Sequence, residues 1–561
     1  MSNDIAKKLV LDDRLNVSDK IGFQIYKGPQ SNNMQTFSAL SQSNSSHQFS
    51  IQVPSEMTII NRVVYWKCQV VLKLTKGTAS ARPAGEYMVN YGLQDALASM
   101  PLHQLCSTLQ ATINSTTVSV NIRDVLPAIQ RMFPQQHLGE YNSLAPVYLD
   151  NCRIYQDLVG ANNNALGAYG NSADPFLVPR GAWALDSFIA SDTAFTVPAV
   201  PSDDTVYVKF TSVEPLMLSP FVYGPNSKEQ GFYGIQNMNF TFNIGDAKRC
   251  FRSASKYWNG IDIVSFAGSE LQFNMLTASP NTILPSRNVI PYYELPRFIS
   301  QTGTIAAATK SNGLLTPATL DLNSNSLQLN QIPQYAIIYA RKSQESQTVN
   351  DPDFFCPIQQ ISIQFNNVSG ILASATKEQL FAMSKENCLN MNWQEFSGKA
   401  NKIGNGQINQ FATVGAPLIL EFGKDIPLVE PYYSIGSLIN ANLQVKVKAE
   451  NYDENATVAT ELVIVLMNVG VFTSERGNSA TFLSPVSKQD VLDVANDTPV
   501  PASDVKRMVG YGFLDNLKTM LASAMKNPSK VVEAVCSVAK PLASAVSGEG
   551  MSGGMMRRLK K

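Results

Sequence analysis

Only three histidines, His47, His103 and His137, stand in the 561 residues, and imidazole is the side chain that metal and acid–base chemistry near neutral pH use first. A metal centre needs several of them with a carboxylate in one domain. Here no pair shows H-x-H or H-x-x-x-H spacing, which points to ordinary structural or surface histidines. The acidic pairs, Asp203-Asp204 and Asp351 with Asp353, sit beside Pro or turn residues and read as solvated loop acids. Glycoside hydrolysis requires two carboxylates near each other in space only, so spacing neither supports nor excludes it. No G-x-S-x-G, Walker or G-x-G-x-x-G pattern occurs, and Gly404-Asn405-Gly406 reads as a loop turn. Phe232-Tyr233 and Tyr432-Tyr433 have the make-up of sugar-stacking platforms, but core or inter-subunit packing is the expectation. The seven cysteines, Cys68, Cys106, Cys152, Cys250, Cys356, Cys388 and Cys536, contain no C-x-x-C pair. Neither a disulfide framework nor a zinc site is expected, and a reducing compartment is the simpler reading. No catalytic residue, cofactor or metal ligand is assigned.

The bulk numbers point the same way. A chain of this length exceeds one hydrophobic core, so two or more domains are expected. It is 44% hydrophobic and only 16% charged, against roughly 25% charged in an ordinary soluble domain. Asn, Gln, Ser and Thr supply the missing polarity, which suits a surface that packs against copies of itself and equally a secreted sandwich domain. Lys plus Arg and Asp plus Glu both total 44, a formal net charge of zero. A protein that coats nucleic acid needs a basic surface to release counterions, so no direct sequence-specific nucleic-acid binding is expected. Met1 to Arg14 lacks a signal-peptide apolar region, and no apolar run approaches the roughly 18 residues of a spanning helix. Synthesis and folding in the cytosol are expected, leaving the N-x-S/T triplets at Asn114, Asn239 and Asn367 unused.

The elements that would position any site are strands. After a polar arm (1–34), period two dominates. Phe49, Ile51 and Val53 alternate with Ser50 and Gln52; Val64 to Leu74 forms one face of a long strand; Leu109 to Val120 makes a hairpin around Asn114-Ser115. Further alternating runs lie at 206–210, 238–244 and 271–275. A second series follows the Pro-rich crossing at Pro280, Pro285, Pro291 and Pro296, and the two look like one pattern written twice. Gln52-Val53-Pro54 matches Gln331-Ile332-Pro333, and Leu109 to Asn114 matches Ile361 to Asn366. A short helix follows that hairpin in each half, over Asp124 to Met132 and Thr376 to Asn387. Val213-Glu214-Pro215 matches Val429-Glu430-Pro431, Asn239 to Phe242 matches Asn442 to Val445, and the strand at Leu271 matches the one at Leu462. The separations shrink along the chain, 279, 252, 216, 203 and 191, as expected for the same strands joined by longer loops in the first half. The largest surplus falls at about 134–204, a Pro/Gly/Asn-rich stretch too long for a plain connection.

From about Pro485 the period becomes helical. Val505, Met508, Val509, Phe513 and Leu517 begin an apolar stripe, and Asn527-Pro528 reads as the cap and first turn of a second helix. The last residues are Gly/Ser/Met-rich and end in Arg557, Arg558, Lys560 and Lys561. Within them Met551-Ser552-Gly553-Gly554 resembles the site cut by adenovirus-type cysteine maturation proteases, with cleavage between Gly554 and Met555; a merely flexible tail remains the alternative.

Phe49 to Ser55, Ala111 to Asn114 leading into Asp124 to Pro127, and Gly234 to Phe240 give the chain its resemblance to double-jelly-roll major capsid proteins. It is most similar to those of Polinton-like viruses, adintoviruses and virophages, over about residues 40–480. The resemblance implies an all-β fold of two tandem eight-stranded jelly-roll sandwiches with a short C-terminal helical tail. The first sandwich is placed at 35–290 with the 134–204 stretch as a tower, the second at 291–485, and the helical tail with its basic end at 486–561. It further implies a pseudo-hexameric homotrimer that assembles into an icosahedral virion shell, made in the host cytoplasm. Partners on this reading are the chain itself, penton and minor or cement capsid proteins, and a maturation protease; contact with an internal membrane stays open. The rivals are a tandem-jelly-roll hydrolase, which predicts a monomer with a concave acidic or metal-bearing site, and a sugar-binding spike or adhesin, which predicts exposed aromatic clusters on loops.

Overall fold

The structure, a computed structural model, describes residues 26–76, 95–133, 144–147, 149–150, 153, 187–189, 205–221, 231–253, 258–351, 353–404, 407–428 and 435–483, together with Asp12 and Arg14. In the first half eight principal strands follow one another: β1 (Ser31–Ser38), β2 (Ser46–Gln52), β3 (Tyr65–Lys76), β4 (Cys106–Ile113), β5 (Thr116–Val120), β6 (Thr205–Pro215), β7 (Asn237–Ile244) and β8 (Trp258–Thr277). They pair in two antiparallel sheets, β1-β8-β3-β6 and β2-β7-β4-β5. The second half repeats the order with β9 (Arg297–Ile305), β10 (Leu327–Gln331), β11 (Tyr335–Lys342), β12 (Ile358–Phe365), β13 (Val368–Ile371), β14 (Leu418–Glu421), β15 (Leu438–Asn451) and β16 (Val458–Glu475). Its sheets are β9-β16-β11-β14 and β10-β15-β12-β13. Each strand of the second half thus holds the place of the strand eight before it, and each half is a jelly roll, a double Greek key closed by its first and last strands.

The alternation read in the sequence is the alternation of burial. Phe49 and Ile51 on β2, Trp66 to Leu74 at every second position on β3, and Phe240 and Phe242 on β7 fill the first sandwich. Leu443, Val445, Val447, Ile361 and Ile363 do the same in the second. Both hairpins turn on an asparagine in the left-handed region, Asn114 at φ 50 and Asn366 at φ 55, a conformation that short polar side chains tolerate. Asn114 donates its backbone N–H to Asn237 and Asn366 donates its own to Asn442. That pairing fixes the true register: Asn442 corresponds to Asn237, two residues from the sequence match to Asn239. The match of Val213-Glu214-Pro215 divides. The first triplet ends β6, whereas Val429-Glu430-Pro431 lies outside the described residues, and Glu421 faces Tyr335 as Pro215 faces Tyr65.

Two helices follow the hairpins as expected, α2 (Ile122–Gln130) and α3 (Lys377–Glu386), with α1 (Pro101–Leu105) ahead of β4 and α4 (Trp393–Ser397) after α3. Thr376 and Gln379 close a reciprocal capping box on α3. The polar arm is shorter than expected at its inner end, since Ser31–Ser38 pairs along β8. Asn288–Glu294 runs along β16 just ahead of β9. Of the 134–204 stretch, the described pieces are anchored: Pro146 accepts the Met100 N–H, and Ser187–Ile189 pairs with β6. The helical tail and the proposed cleavage site at Gly554 and Met555 lie outside the described residues. Among the described residues, no helix is long and apolar enough to cross a membrane.

Candidate functional site: the seam between the sandwiches

The two sandwiches meet where the helix-bearing edge of the first covers the outer face of β9-β16-β11-β14. Strand β11 is consequently buried on both sides, at Ala336, Ile338 and Ala340 inside its own sandwich and at Tyr335, Ile337 and Tyr339 toward the seam. Asp124 on α2 is the first anchor. It accepts from Arg341 at 2.6 Å and Gln344 at 2.7 Å and pairs with Arg297, while the Tyr339 hydroxyl donates to its backbone carbonyl. Arg341 also donates to Glu461 at 2.6 Å. Burial opposes the Arg341 charge, but Tyr339, Asp124 and Glu461 outweigh it and hold the guanidinium above its ordinary range.

Asp353 is the second anchor, from the opposite side. It receives Arg249 at 3.1 Å and Arg252 at 3.2 Å, and Gln104 donates to its other oxygen at 3.0 Å. Burial pushes its carboxyl up; Arg249, Arg252 and Arg131 overcome that and bring it down to about 2. The third anchor is Arg153, which reaches Asp351 at 3.3 Å and Asp453 at 3.4 Å and lies 3.5 Å over the Phe354 ring. Lys342 pairs with Asp351 at 2.7 Å. Burial raises the Asp351 carboxyl, yet Arg153 and Lys342 hold it below the usual carboxylate range. Asp351 and Asp353 are therefore not solvated loop acids: they are the second sandwich's half of a buried ionic seam. The concavity lined by Gln130, Arg131, Asp150 and Asp353 belongs to this seam and is too tight to admit a water molecule.

The other candidates from the sequence are dispersed. His47 is buried on β2, with Nδ1 2.9 Å from the Ser269 hydroxyl, and burial lowers it to about 4. His103 is buried on α1; its Nδ1 lies 2.6 Å from Glu214, and its Nε2 accepts the Met217 N–H at 3.1 Å. That acceptor role fixes the proton on Nδ1. Glu214 collects further bonds from the Leu102 and His103 N–H groups and the Ser212 hydroxyl, a purely internal support for the end of β6. Both rings flank Trp66 edge-on, and His137 lies outside the described residues, as do Asp203-Asp204, Tyr432-Tyr433, Cys152 and Cys536. Cys68, Cys106, Cys250, Cys356 and Cys388 form no disulfide among the described residues. Phe232 is fully buried, edge-on to Phe221 and Phe472, with Tyr233 nearly so; the pair is core. Gly404 ends a strand, Lys399–Gly404, that pairs with Gln407–Ala412, while Asn405 and Gly406 lie outside the described residues. Among the described residues, no group of three or more His, Cys, Asp or Glu could hold a metal ion.

A buried lattice that fastens two identical folds together is a structural device. The family described as Sputnik virophage major capsid protein, first domain, matches residues 3–284, just over half of the chain. The chain belongs to that family. A second family, described as the C-terminal domain of major capsid protein V20, matches residues 302–470. The capsid protein V20 of Sputnik virophage is 26% identical over 550 residues, covering 93% of this chain and 87% of that protein. In fold, a chain of the Sputnik virophage structure solved by cryo-EM gives a TM-score of 0.77 at 23% identity, covering 90% of this chain and 99% of that one. The mavirus major capsid protein gives 0.68 at 15% identity, covering 89% and 99%. This major capsid protein is a double jelly roll whose place is the virion, in the icosahedral shell. Of the seam residues, the sequence singles out Asp351 and Asp353, as loop acids, and not the arginines that meet them. The usable signal was a charge set inside an apolar run, as with Arg341 after Tyr335 to Ala340, or Arg249 and Arg252 around Cys250-Phe251.

Proposed function

We propose that this capsid protein builds its shell from homotrimers in which the seam is repeated between chains. One observation carries the reading. The outer face of β9-β16-β11-β14 is covered by the first sandwich, whereas the same face of the first sandwich is only partly covered: Val71 on β3 is buried, but the residues beside it on that face are not. On β3, Tyr65, Lys67, Gln69 and Lys73 are only half-buried, at positions equivalent in facing to the buried Tyr335, Ile337 and Tyr339. The second sandwich meanwhile presents a helix, α3, of which only Leu380 and Ser384 are buried, next to the exposed Trp393. A neighbouring chain's α3 side laid on β3 and β6 repeats the internal contact. Three such chains close a ring of six sandwiches, and closure is what a heterologous contact needs to avoid an open filament.

The protein acts in this reading by packing, without catalysis, since His47 and His103 are both held in the core. Penton and minor capsid proteins are its further partners, and a maturation protease acts on the tail between Gly554 and Met555. Light scattering on the purified full-length chain tests the central claim. A species of three chains is expected, and Lys73→Glu on the outer face of β3 should shift it toward single chains. A wild-type chain that stays monomeric at micromolar concentration overturns the reading.

A further inference from the structure

The sheet on the far side of the first sandwich has an unusual composition. Strands β2, β7, β4 and β5 contain no Asp, Glu, Lys or Arg at all. Everything they turn outward is Ser, Thr, Asn or Gln, in cross-strand rows such as Ser50–Asn239–Thr112–Thr117. The outward positions are open, with Gln48, Asn239, Thr117 and Ser119 exposed. The equivalent sheet of the second sandwich is different: Lys446 and Lys448 on β15, and Asp321 on the adjoining strand Ala318–Asn323, stand among its polar residues. The whole chain is only 16% charged, and this face lies below even that; depletion of Lys, Asp and Glu is one part of the compositional signature of an interface centre.

We propose that this charge-free face of the first sandwich is the contact between neighbouring capsomers, its occupant a sandwich wall of a second copy of this chain. The proposal rests on the ring reading above, which also supplies the direction. In a ring made by repeating the seam, the outer face of β1-β8-β3-β6 is turned toward the preceding sandwich. The opposite sheet, β2-β7-β4-β5, is then turned away from the ring, toward the next capsomer. Size agrees. Four strands at about 4.8 Å spacing and roughly seven residues at about 3.3 Å each span ~450 Å². That is well short of the about 800 Å² per partner of a stable complex. Such a face does not dimerise alone, but works where many weak contacts are made together around a shell. The chemistry also fits a contact made in several slightly different settings. Hydroxyls and amides each donate and accept, so a small shift exchanges one set of bonds for another, whereas a fixed ion pair would be broken.

The test places one charge on this face, with Asn239→Lys and Thr117→Asp as separate variants, in an expression system where the wild-type chain forms shells. Gln444→Lys is the control, because it holds the place of Asn239 in the second sandwich, on a sheet that already carries lysines. Thermal melting and light scattering should match wild type for all three, showing an intact fold and an intact ring. Electron microscopy should show shells reduced about tenfold or more for the two first-sandwich variants, since a charge desolvated without a partner opposes the contact. The control should assemble normally. Shells at wild-type yield from either variant, or rings that fall apart in light scattering, would overturn the proposal. A wild type that forms no trimer would instead count against the ring itself.

Discussion

The residues that matter most here are buried charges, and their value depends on each having its partner. Asp353 serves Arg249 and Arg252 at once, so its loss leaves two guanidinium groups desolvated without a counter-charge. Removing one member of a buried pair typically costs about 3–5 kcal/mol. Asp353→Asn keeps the shape and removes the charge, and should lower the unfolding free energy obtained from urea titration by an amount in that range. Glu270→Gln, which breaks the half-exposed pair with Lys67, should cost no more than about 1 kcal/mol. Equal effects in urea titrations of the two variants would show that the seam carries no special weight. At this scale the sequence was least legible. Asp351 and Asp353 stand beside Pro and turn residues, and nothing local reveals that arginines some hundred or more positions away converge on them.

Elements were far more legible, because what builds them is local. The α3 boundaries follow from Thr376 with Gln379 three residues on, and both hairpins follow from alternation broken by Asn. What local pattern cannot fix is register. A shift of two residues leaves every side chain on its own face, so Asn442 was matched with Asn239 instead of Asn237. The two hairpin asparagines also differ in what they tie down. The Asn114 side chain accepts the Gln236 N–H at 2.8 Å and donates to the Gly234 carbonyl at 3.1 Å, stitching the turn to the start of β7. Asn366 has the same left-handed backbone and its main-chain N–H bonds Asn442, but among the described residues its side chain bonds nothing. Alanine at either site meets the cost of a positive φ, about 1–2 kcal/mol; at Asn114 it also loses two buried-edge bonds at about 1 kcal/mol each. Asn114→Ala should therefore be clearly the more damaging, and matching melting temperatures for the two variants would refute that difference.

At the level of the whole molecule, the seam decides whether the two sandwiches unfold as one body. Each has its own closed strand order, while the buried apolar cluster runs on from one to the other; the ionic lattice adds to that contact a coupling that protons can undo. Its protons give the coupling a pH dependence with a definite sign. Asp353 and Asp351 have folded values below the unfolded ones, so the unfolded chain binds the extra protons. Their stabilisation is complete above the ordinary carboxylate range and is lost as pH falls toward about 2. His47, lowered to about 4 by burial, acts earlier and elsewhere. It stays neutral in the fold while the unfolded imidazole takes up a proton, so it weakens the first sandwich alone between its ordinary value and about 4. Scanning calorimetry of the trimer-free chain should thus show one transition at neutral pH. As acidity rises the first sandwich loses ground, and near pH 2 the protonated seam lets two transitions separate. Asp353→Asn should show the separation already at neutral pH. A single transition at every pH in both proteins would mean that apolar contact across β11, and not the charges, holds the halves together.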